Sequence, residues 1–478
     1  MNTILDDSHI PNLPKKPRIA LVSPPFSKLV YGDEYTIKSV TPCLGLFYLA
    51  SFCEDLGEFR IFEGEFYDCN SHLIGEINKW NPDIVGVTTN TSTYPLCREI
   101  AQNVTSRYRF AGGPYSSFRV SESLADGFDI VFIGDAELGL RDFLSHRPLN
   151  EVRGCAYKES TETTVKRTMQ GYIKDLDSIP FPEHSKVQRG LYKASPHREM
   201  REPFATMMTT RGCGFLCSFC LSANGGMNGG KYRERSVENV IEEVKLLKNN
   251  YGVESIQFWD DTFTMNRQRT IELARGLEPM NLTYVCNTRT DKIDADLAEL
   301  LHRSGCRGIF FGVETGNEEL LETEIRKGVT NQQVVDAVKL CRRFKLQATT
   351  SFILGSIDDT EDTMEDTIRF ALDLDADFSL FNIYTAHPGT YGYHEAINRG
   401  VLDEYRVDTN CWKGEPAGVP TVCEAAPRIR LHILKAQAYI RFYRQKRSSF
   451  YDEIISMYED ELERLYIAAQ HEEAAGKR

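Results

Sequence analysis

The chain has 478 residues, 41% of them hydrophobic, which is material for about three compact units with sizeable cores and too much for a disordered chain. Fifty-six Lys and Arg stand against 69 Asp and Glu, and the net charge of -13 repels phosphate backbones, so nucleic acid is not an expected partner. No run approaches roughly 18 apolar residues and the N-terminus lacks an apolar leader segment, so the expectation is a cytoplasmic chain with no membrane partner, its 13 cysteines mostly reduced.

Residues 1–17 read as a polar, Pro-rich tail. RIALVSPPF is a short apolar run closed by two prolines, a buried strand ending in a loop. FRIFEGEF, the helix-like HLIGEINKW, DIVGVTTN, YRFAGGPYSS and DIVFIGDAELGLRDFL follow. Apolar strands alternating with helical patterns predict a doubly wound parallel sheet, Rossmann-like, over 18–148. Residues 149–201 mix charge, Pro and Gly (KDLDSIPFPEHS) and read as a linker.

A second alternating series occupies 202–400. FATMMTTRG, SIQFWDDTF, LTYVCNTR, CRGIFFGVE, QATTSFILG and SLFNIYTAHP are six strand candidates, separated by helical stretches such as VENVIEEVKLLKNN and QQVVDAVKLCRRF. Six such units predict a partial (β/α)6 barrel. Residues 401–478 turn helical, and Leu431, Ile433, Leu434 and Ala438 form a stripe suited to packing on a domain. Its basic residues read as a solvated side. No 20–50-residue repeat or low-complexity block interrupts the chain.

The sharpest chemical feature is TTRGCGFLCSFC, in which Cys213, Cys217 and Cys220 are spaced C-x-x-x-C-x-x-C on a loop after a strand. Three thiolates can hold three irons of a [4Fe-4S] cluster and leave the fourth open. A structural zinc site would need a fourth ligand close by, and the next cysteine is Cys286. Zinc and buried free thiols remain the alternatives. Cys411 and Cys423, two isolated thiols, are too few for a second cluster. Gly225, Gly226, Gly229 and Gly230 look like a phosphate cradle, but no GK[ST] follows and a loop is the better reading.

This cluster motif at the first strand of a partial barrel resembles the radical S-adenosylmethionine superfamily. The resemblance implies that the open iron chelates the amino and carboxylate groups of S-adenosylmethionine, which an electron from the cluster cleaves to methionine and a 5'-deoxyadenosyl radical. It implies an external electron donor of flavodoxin or ferredoxin type. It also implies roles for single residues: Phe219 stacked near adenine, Asp260 and Asp261 in FWDDTF accepting from an ammonium, Glu314 in FFGVETG on the ribose or amino group, and Arg289 in CNTRTDKID on the carboxylate. The residues alone read otherwise, as core filler, loop charges and a salt bridge between Arg289 and Glu314. SFILGSIDDT and TAHPGT resemble later strand-end loops of the family, and Tyr384, His387 and Trp412 could face a substrate above the rim.

The order of RIALVSPPF, TPCLGLFYLAS, DIVGVTT, AGGPYSS and GDAELGL resembles the subfamily with an N-terminal cobalamin-binding domain. By that resemblance, loops around Pro24, Thr88, Gly112, Gly113, Tyr115 and Glu137 would line a crevice for the flat macrocycle at the sheet's C-terminal edge. The subfamily's DxHxxG motif is missing, since Asp7-Ser8-His9 precedes the first strand and is followed by Asn12. Tyr115 stands where a histidine is frequent, and GDAE replaces GEGE. The expected activity is cobalamin-dependent C- or P-methylation of a small-molecule biosynthetic intermediate. The alternative is a cobalamin-independent radical dehydratase, epimerase or rearrangement enzyme acting on a sugar or aminoglycoside, with a vestigial cobalamin domain.

Overall fold

A computed structural model describes residues 13–25, 39–158, 165–169, 171–194, 200–223, 231–403 and 421–476. The first sheet contains β1 (Arg18–Ser23), β2 (Glu58–Glu63), β3 (Ile84–Thr88), β4 (Tyr108–Gly112), β5 (Ile130–Phe132), β6 (Cys155–Lys158) and β7 (Val165–Arg167). Their order in space is β2-β1-β3-β4-β5-β6-β7. The first five run parallel and the last two antiparallel. Strand β1 is apolar from Ile19 to Val22 because both its faces are covered there. Ile19 and Leu21 pack with Leu46, Ala50, Leu140 and Phe143 on one side; Ala20 and Val22 pack with Leu73, Ile77, Tyr94 and Ile100 on the other.

Strands β6 and β7 lie inside the stretch read as a linker, so the first sheet continues past residue 148 to Arg167. The sequence signal is weak there because both strands are short and the second, at the sheet's edge, carries charge (VKR).

The second sheet is formed by β8 (Phe204–Met207), β11 (Ser255–Phe258), β12 (Thr283–Thr288), β13 (Cys306–Glu314), β14 (Gln347–Leu354) and β15 (Phe378–Ile383). They pair in sequential parallel order from β8 to β15, the six units of the partial barrel. A two-residue ribbon, β9 (Thr210–Arg211) against β10 (Arg233–Glu234), projects beyond β8. The helices between the strands start where capping residues allow. Ser236 accepts from Asn239 N at the start of Val237–Tyr251, which ends on Gly252 at φ 65°. Thr330 and Gln333 form a reciprocal capping box on Asn331–Arg343.

The C-terminal stripe packs as expected, with Leu431, Ile433, Leu434 and Ala438 all buried in the barrel core. Their helix, Arg428–Gln445, lies against β15: Phe381 N donates to Tyr439 Oη at 3.0 Å, and Tyr443 Oη donates to Ser379 O at 3.0 Å. The last helix, Asp452–Gly476, packs on it through the stacked rings of Tyr439 and Tyr458, 3.9 Å apart. Among the described residues no helix is long and apolar enough to cross a membrane.

The C-terminal edges of the two sheets face each other. On one side of the contact, Thr91 Oγ1 meets His387 Nδ1 at 3.2 Å and Arg119 donates to Tyr393 Oη at 2.8 Å. The Phe118 ring covers Gly389 so closely that a Cβ there would lie 2.2 Å from it. The other side is ionic and involves the ribbon.

Candidate active site between the two sheets

The cluster loop leaves β8 through a turn that buried polar groups hold. Asp260 is buried, and its Oδ1 accepts from Thr209 N and Thr209 Oγ1, both at 3.0 Å, and from Thr210 Oγ1. Buried Arg269 clamps the same turn, donating to Thr209 Oγ1 and Thr209 O at 3.2 Å and to Arg235 O at 2.8 Å. Gly212 follows at φ 80°, where a Cβ would lie 2.4 Å from Lys231 O, so only glycine fits. Further on, Ser218 N donates to Ile325 O and Gly392 N donates to Ser218 O. Both ends of the Cys213–Cys220 loop are thus tied to the barrel.

Cys217 is buried, and Cys213 and Cys220 are half-buried. Burial pushes the Cys220 thiol up to about 11. Burial raises Cys217 as well, while the charges of Lys327 and Arg289 pull it back down. Among the described residues no three His, Cys, Asp or Glu side chains converge closely enough to hold one metal ion.

Beneath the loop lie three charged side chains, all buried. Arg289 donates to Asp291 Oδ1 at 2.8 Å and to Lys327 O at 2.7 Å, lies 3.9 Å from Cys217 Sγ, and stacks 3.6 Å from the Phe215 ring. Lys327 donates to Glu314 Oε1 at 2.5 Å and to Gly312 O at 2.8 Å. The ion pair of Arg289 with Glu314 is not made, since each has taken another partner. Glu314 reaches Lys327 because the chain bulges between Gly312 and Glu314, with Glu314 itself at φ 75°. A Cβ on Gly312 would collide with both members of that pair.

The two aspartates of FWDDTF divide the work. Asp260 turns inward and keeps Oδ2 without a partner, whereas Asp261 is exposed and lines the space between the sheets with Trp259 and Ser222. Phe219 is half-buried and packs against the clusters containing Ile325 and Tyr384. Tyr384 is buried and its hydroxyl has no hydrogen-bond partner.

The space between the sheets is one crevice of about 360 Å³. Gly45, Gly86, Gly112, Gly113 and Gly134 line it from the first domain; Met208, Thr210, Arg211 and Gly212 line it from the barrel. It continues as an apolar slot along Leu21, Leu46, Phe110, Phe132 and Leu140. The spatial order 2-1-3-4-5 reverses direction at β1 and β3, the place where ligands of such sheets bind. A Cβ at Gly45 or Gly112 would meet no atom within 4 Å, so open space begins at the bare backbone. Gly113, at φ 95°, has Thr89 O 2.6 Å from where a Cβ would stand and is confined to glycine.

Of the residues expected at the crevice, Thr88, Gly112, Gly113 and Glu137 line it. Tyr115 does not: it is buried on the opposite face of the sheet, its ring centroid 3.9 Å from that of Tyr94 and its hydroxyl on Glu122. The residue follows Pro114 in a short helix that turns it into the core. Pro24 packs against the turn at Gly64 instead of lining the crevice. Gly225, Gly226, Gly229, Gly230, Cys411, Trp412 and the Asp7–Asn12 stretch lie outside the described residues. Sequence reasoning missed Lys327, Arg269 and Arg211, since none sits in a recognisable spacing and each acts through partners distant in the chain.

Two family descriptions match the chain: the radical SAM superfamily over residues 207–371 and the B12 binding domain over residues 35–144. An uncharacterized methyltransferase of Pyrococcus horikoshii is 34% identical over 399 residues, covering 80% of this chain and 84% of that protein. The anaerobic magnesium-protoporphyrin IX monomethyl ester cyclase of Cereibacter sphaeroides is 28% identical, covering 71% of this chain and 57% of that one. Among solved structures, the radical S-adenosylmethionine methyltransferase TsrM from Kitasatospora setae, with cobalamin and [4Fe-4S] cluster bound, shares the fold. Its TM-score is 0.64 at 20% identity, covering 86% of this chain and 80% of that chain. A three-cysteine loop on a six-stranded partial barrel, preceded by a doubly wound domain with an open crevice, thus agrees with the matches in sequence, and the chain belongs to the radical SAM superfamily as an enzyme with a B12-binding domain, with a [4Fe-4S] cluster, S-adenosylmethionine and cobalamin as its cofactors.

Proposed function

We propose that the chain is a methyltransferase that adds a methyl group to an unactivated carbon, or to a phosphinate phosphorus, of a small polar biosynthetic intermediate. The observation that carries this reading is the single crevice lined from one side by the glycine edge of the first sheet and from the other by the rim that bears the cluster loop. When bound, the cluster with S-adenosylmethionine supplies a hydrogen-abstracting radical, and cobalamin supplies the methyl group. The substrate that gives up the hydrogen must also receive the methyl group, so both cofactors would need access to one space.

The chain's own residues suit these guests. Cys213, Cys217 and Cys220 would hold the cluster, with Arg289 and Lys327 offsetting the thiolate charge beside Cys217. Glu314 and the exposed Asp261 would face the polar end of S-adenosylmethionine, and Phe219 its adenine. Thr88, Gly112 and Gly113, joined by Gly45, would receive the macrocycle, whose nucleotide tail suits the apolar slot. Among the described residues no histidine lines the crevice, and we assign no protein ligand below the cobalt. The apolar walls exclude water from reactive species. The cobalamin-free dehydratase reading presupposes a filled crevice, and this one is open.

The test is anaerobic reconstitution with iron, sulfide, hydroxocobalamin and an external reductant of flavodoxin or ferredoxin type. Stoichiometric cobalt with a base-off spectrum, together with 5'-deoxyadenosine formation, is the expected result. Iron uptake and cleavage without cobalt would overturn the methyltransferase reading.

A further inference from the structure

The side of the domain contact away from His387 is ionic. Arg211 and Arg233 are direct partners across the two-residue ribbon, so their side chains stand together. They reach over to Asp135 and Glu137 of the GDAE turn in the first domain. Arg211 Nη2 lies 2.8 Å from Glu137 Oε1, Arg211 Nη1 lies 3.5 Å from Asp135 Oδ1, and Arg233 Nη2 lies 2.8 Å from Asp135 Oδ2. All four side chains are at most 13% exposed. The Arg211 guanidinium also lies 5.2 Å from the ring of Tyr48, again in the first domain. Buried ion pairs of this kind are geometrically exacting, because a displaced partner leaves an uncompensated charge.

Arg211 is two residues from Cys213. On its N-terminal side Asp260 and Arg269 immobilise Thr209 and Thr210, and on its C-terminal side Gly212 is wedged against Lys231 O. The backbone is thus held on both sides of Arg211, next to the first cluster ligand. Arg211 and Glu137 both line the crevice, so the bridge spans the gap across which the two halves of the site must meet.

We propose that Arg211, through Glu137 and Asp135, is a positioning residue that fixes the distance between the cluster loop and the cobalamin edge of the first sheet. This rests on the reading that both cofactors act in one crevice. Nothing in the bridge contributes a reacting group. It sets the width of the site, and its loss leaves each half able to load while their separation spreads.

A double-mutant cycle with Arg211→Met, Glu137→Gln and the pair tests this on the reconstituted full chain. The readouts are metal content and the magnetic coupling between reduced cluster and cob(II)alamin in frozen solution, which reports their separation. Wild type is expected to give one narrow distance. Each variant should keep iron and cobalt near wild-type content while the spread of distances at least doubles, and the double variant should be no worse than Arg211→Met alone. Arg211→Lys, which keeps charge but not the two-pronged geometry, should fall between. An unchanged narrow distance in Arg211→Met, or additive effects in the pair, would overturn the proposal. If wild type takes up no cobalt, the methyltransferase reading falls separately. The bridge is then judged by amide hydrogen exchange in cobalt-free protein, where residues 132–137 and 209–213 must loosen together in Arg211→Met. Unchanged exchange in either segment would overturn it.

Discussion

The two walls of the crevice are built on opposite principles. The first sheet presents bare backbone and apolar side chains, with Gly45 and Gly112 opening directly onto empty space. The barrel rim presents Thr210, Arg211 and Asp261 and is backed by buried charge in two sets, Asp260 with Arg269 through Thr209 and Arg289 with Lys327 and Glu314. The first wall selects by shape and suits a broad ring. The second selects by charge and suits thiolates and a zwitterionic ligand. Damage to the two should therefore look different: filling space on one side, unbalancing charge on the other.

The largest expected effect comes from the thiols. Changing Cys213, Cys217 and Cys220 to alanine should reduce bound iron to background and abolish 5'-deoxyadenosine formation, while cobalt uptake by the first domain persists. Loss of both metals together would erase the distinction between the walls. Next comes the pair Lys327–Glu314, whose side chains are 7% and 8% exposed. Lys327→Met strands a buried carboxylate and should lower unfolding stability by about 3–5 kcal/mol, measured by denaturant titration. Replacing both members with apolar side chains of like size should recover most of that loss.

A smaller effect is expected on the shape side. Gly112→Phe projects into open space, where a Cβ meets nothing within 4 Å, so stability should change by less than about 1 kcal/mol. Cobalt affinity should fall at least about tenfold, equivalent to about 1.4 kcal/mol, with iron content untouched. The effect closest to neutral pH, and the smallest there, concerns the seam. Burial pushes His387 down to about 4, below the ordinary histidine value of 6.5. The folded chain then binds fewer protons than the unfolded one as pH falls. Stability is unaffected above the ordinary value and is lost progressively between about 6.5 and about 4. A shift of that size removes about 1 kcal/mol by about pH 6 and about 3 kcal/mol by about pH 4. His387→Gln should flatten that part of the stability–pH curve.

The same contrast explains what could be read from the chain. All six barrel strands and the first five strands of the doubly wound sheet were legible, since a strand buried on both faces must be apolar along its length. Short, charged β7 carried no such signal. In the site, the cysteine triad declared itself by spacing alone. The partners of Arg211 could not, because Arg211 and Glu137 lie 74 positions apart and only the packing of two domains brings them together. Nor could sequence tell Asp260 from Asp261: neighbouring carboxylates at a strand end point in opposite directions, so one became a strut and the other a cavity wall. Tyr115 misled for a related reason, since an aromatic just after a Gly-Gly turn serves equally well inside the core.

An unfinished barrel leaves an outermost strand, and β15 meets that problem with the C-terminal helix Arg428–Gln445. The Phe381 amide and Ser379 carbonyl, which a bare margin would offer to any passing strand, are taken by the hydroxyls of Tyr439 and Tyr443. The segment is therefore a guard against self-association as much as a packing element. A chain cut before Arg428 would retain the cysteine loop and the crevice yet present β15 as an open template, so excising the two cofactor domains from their tail should yield a protein that polymerises before it can be assayed.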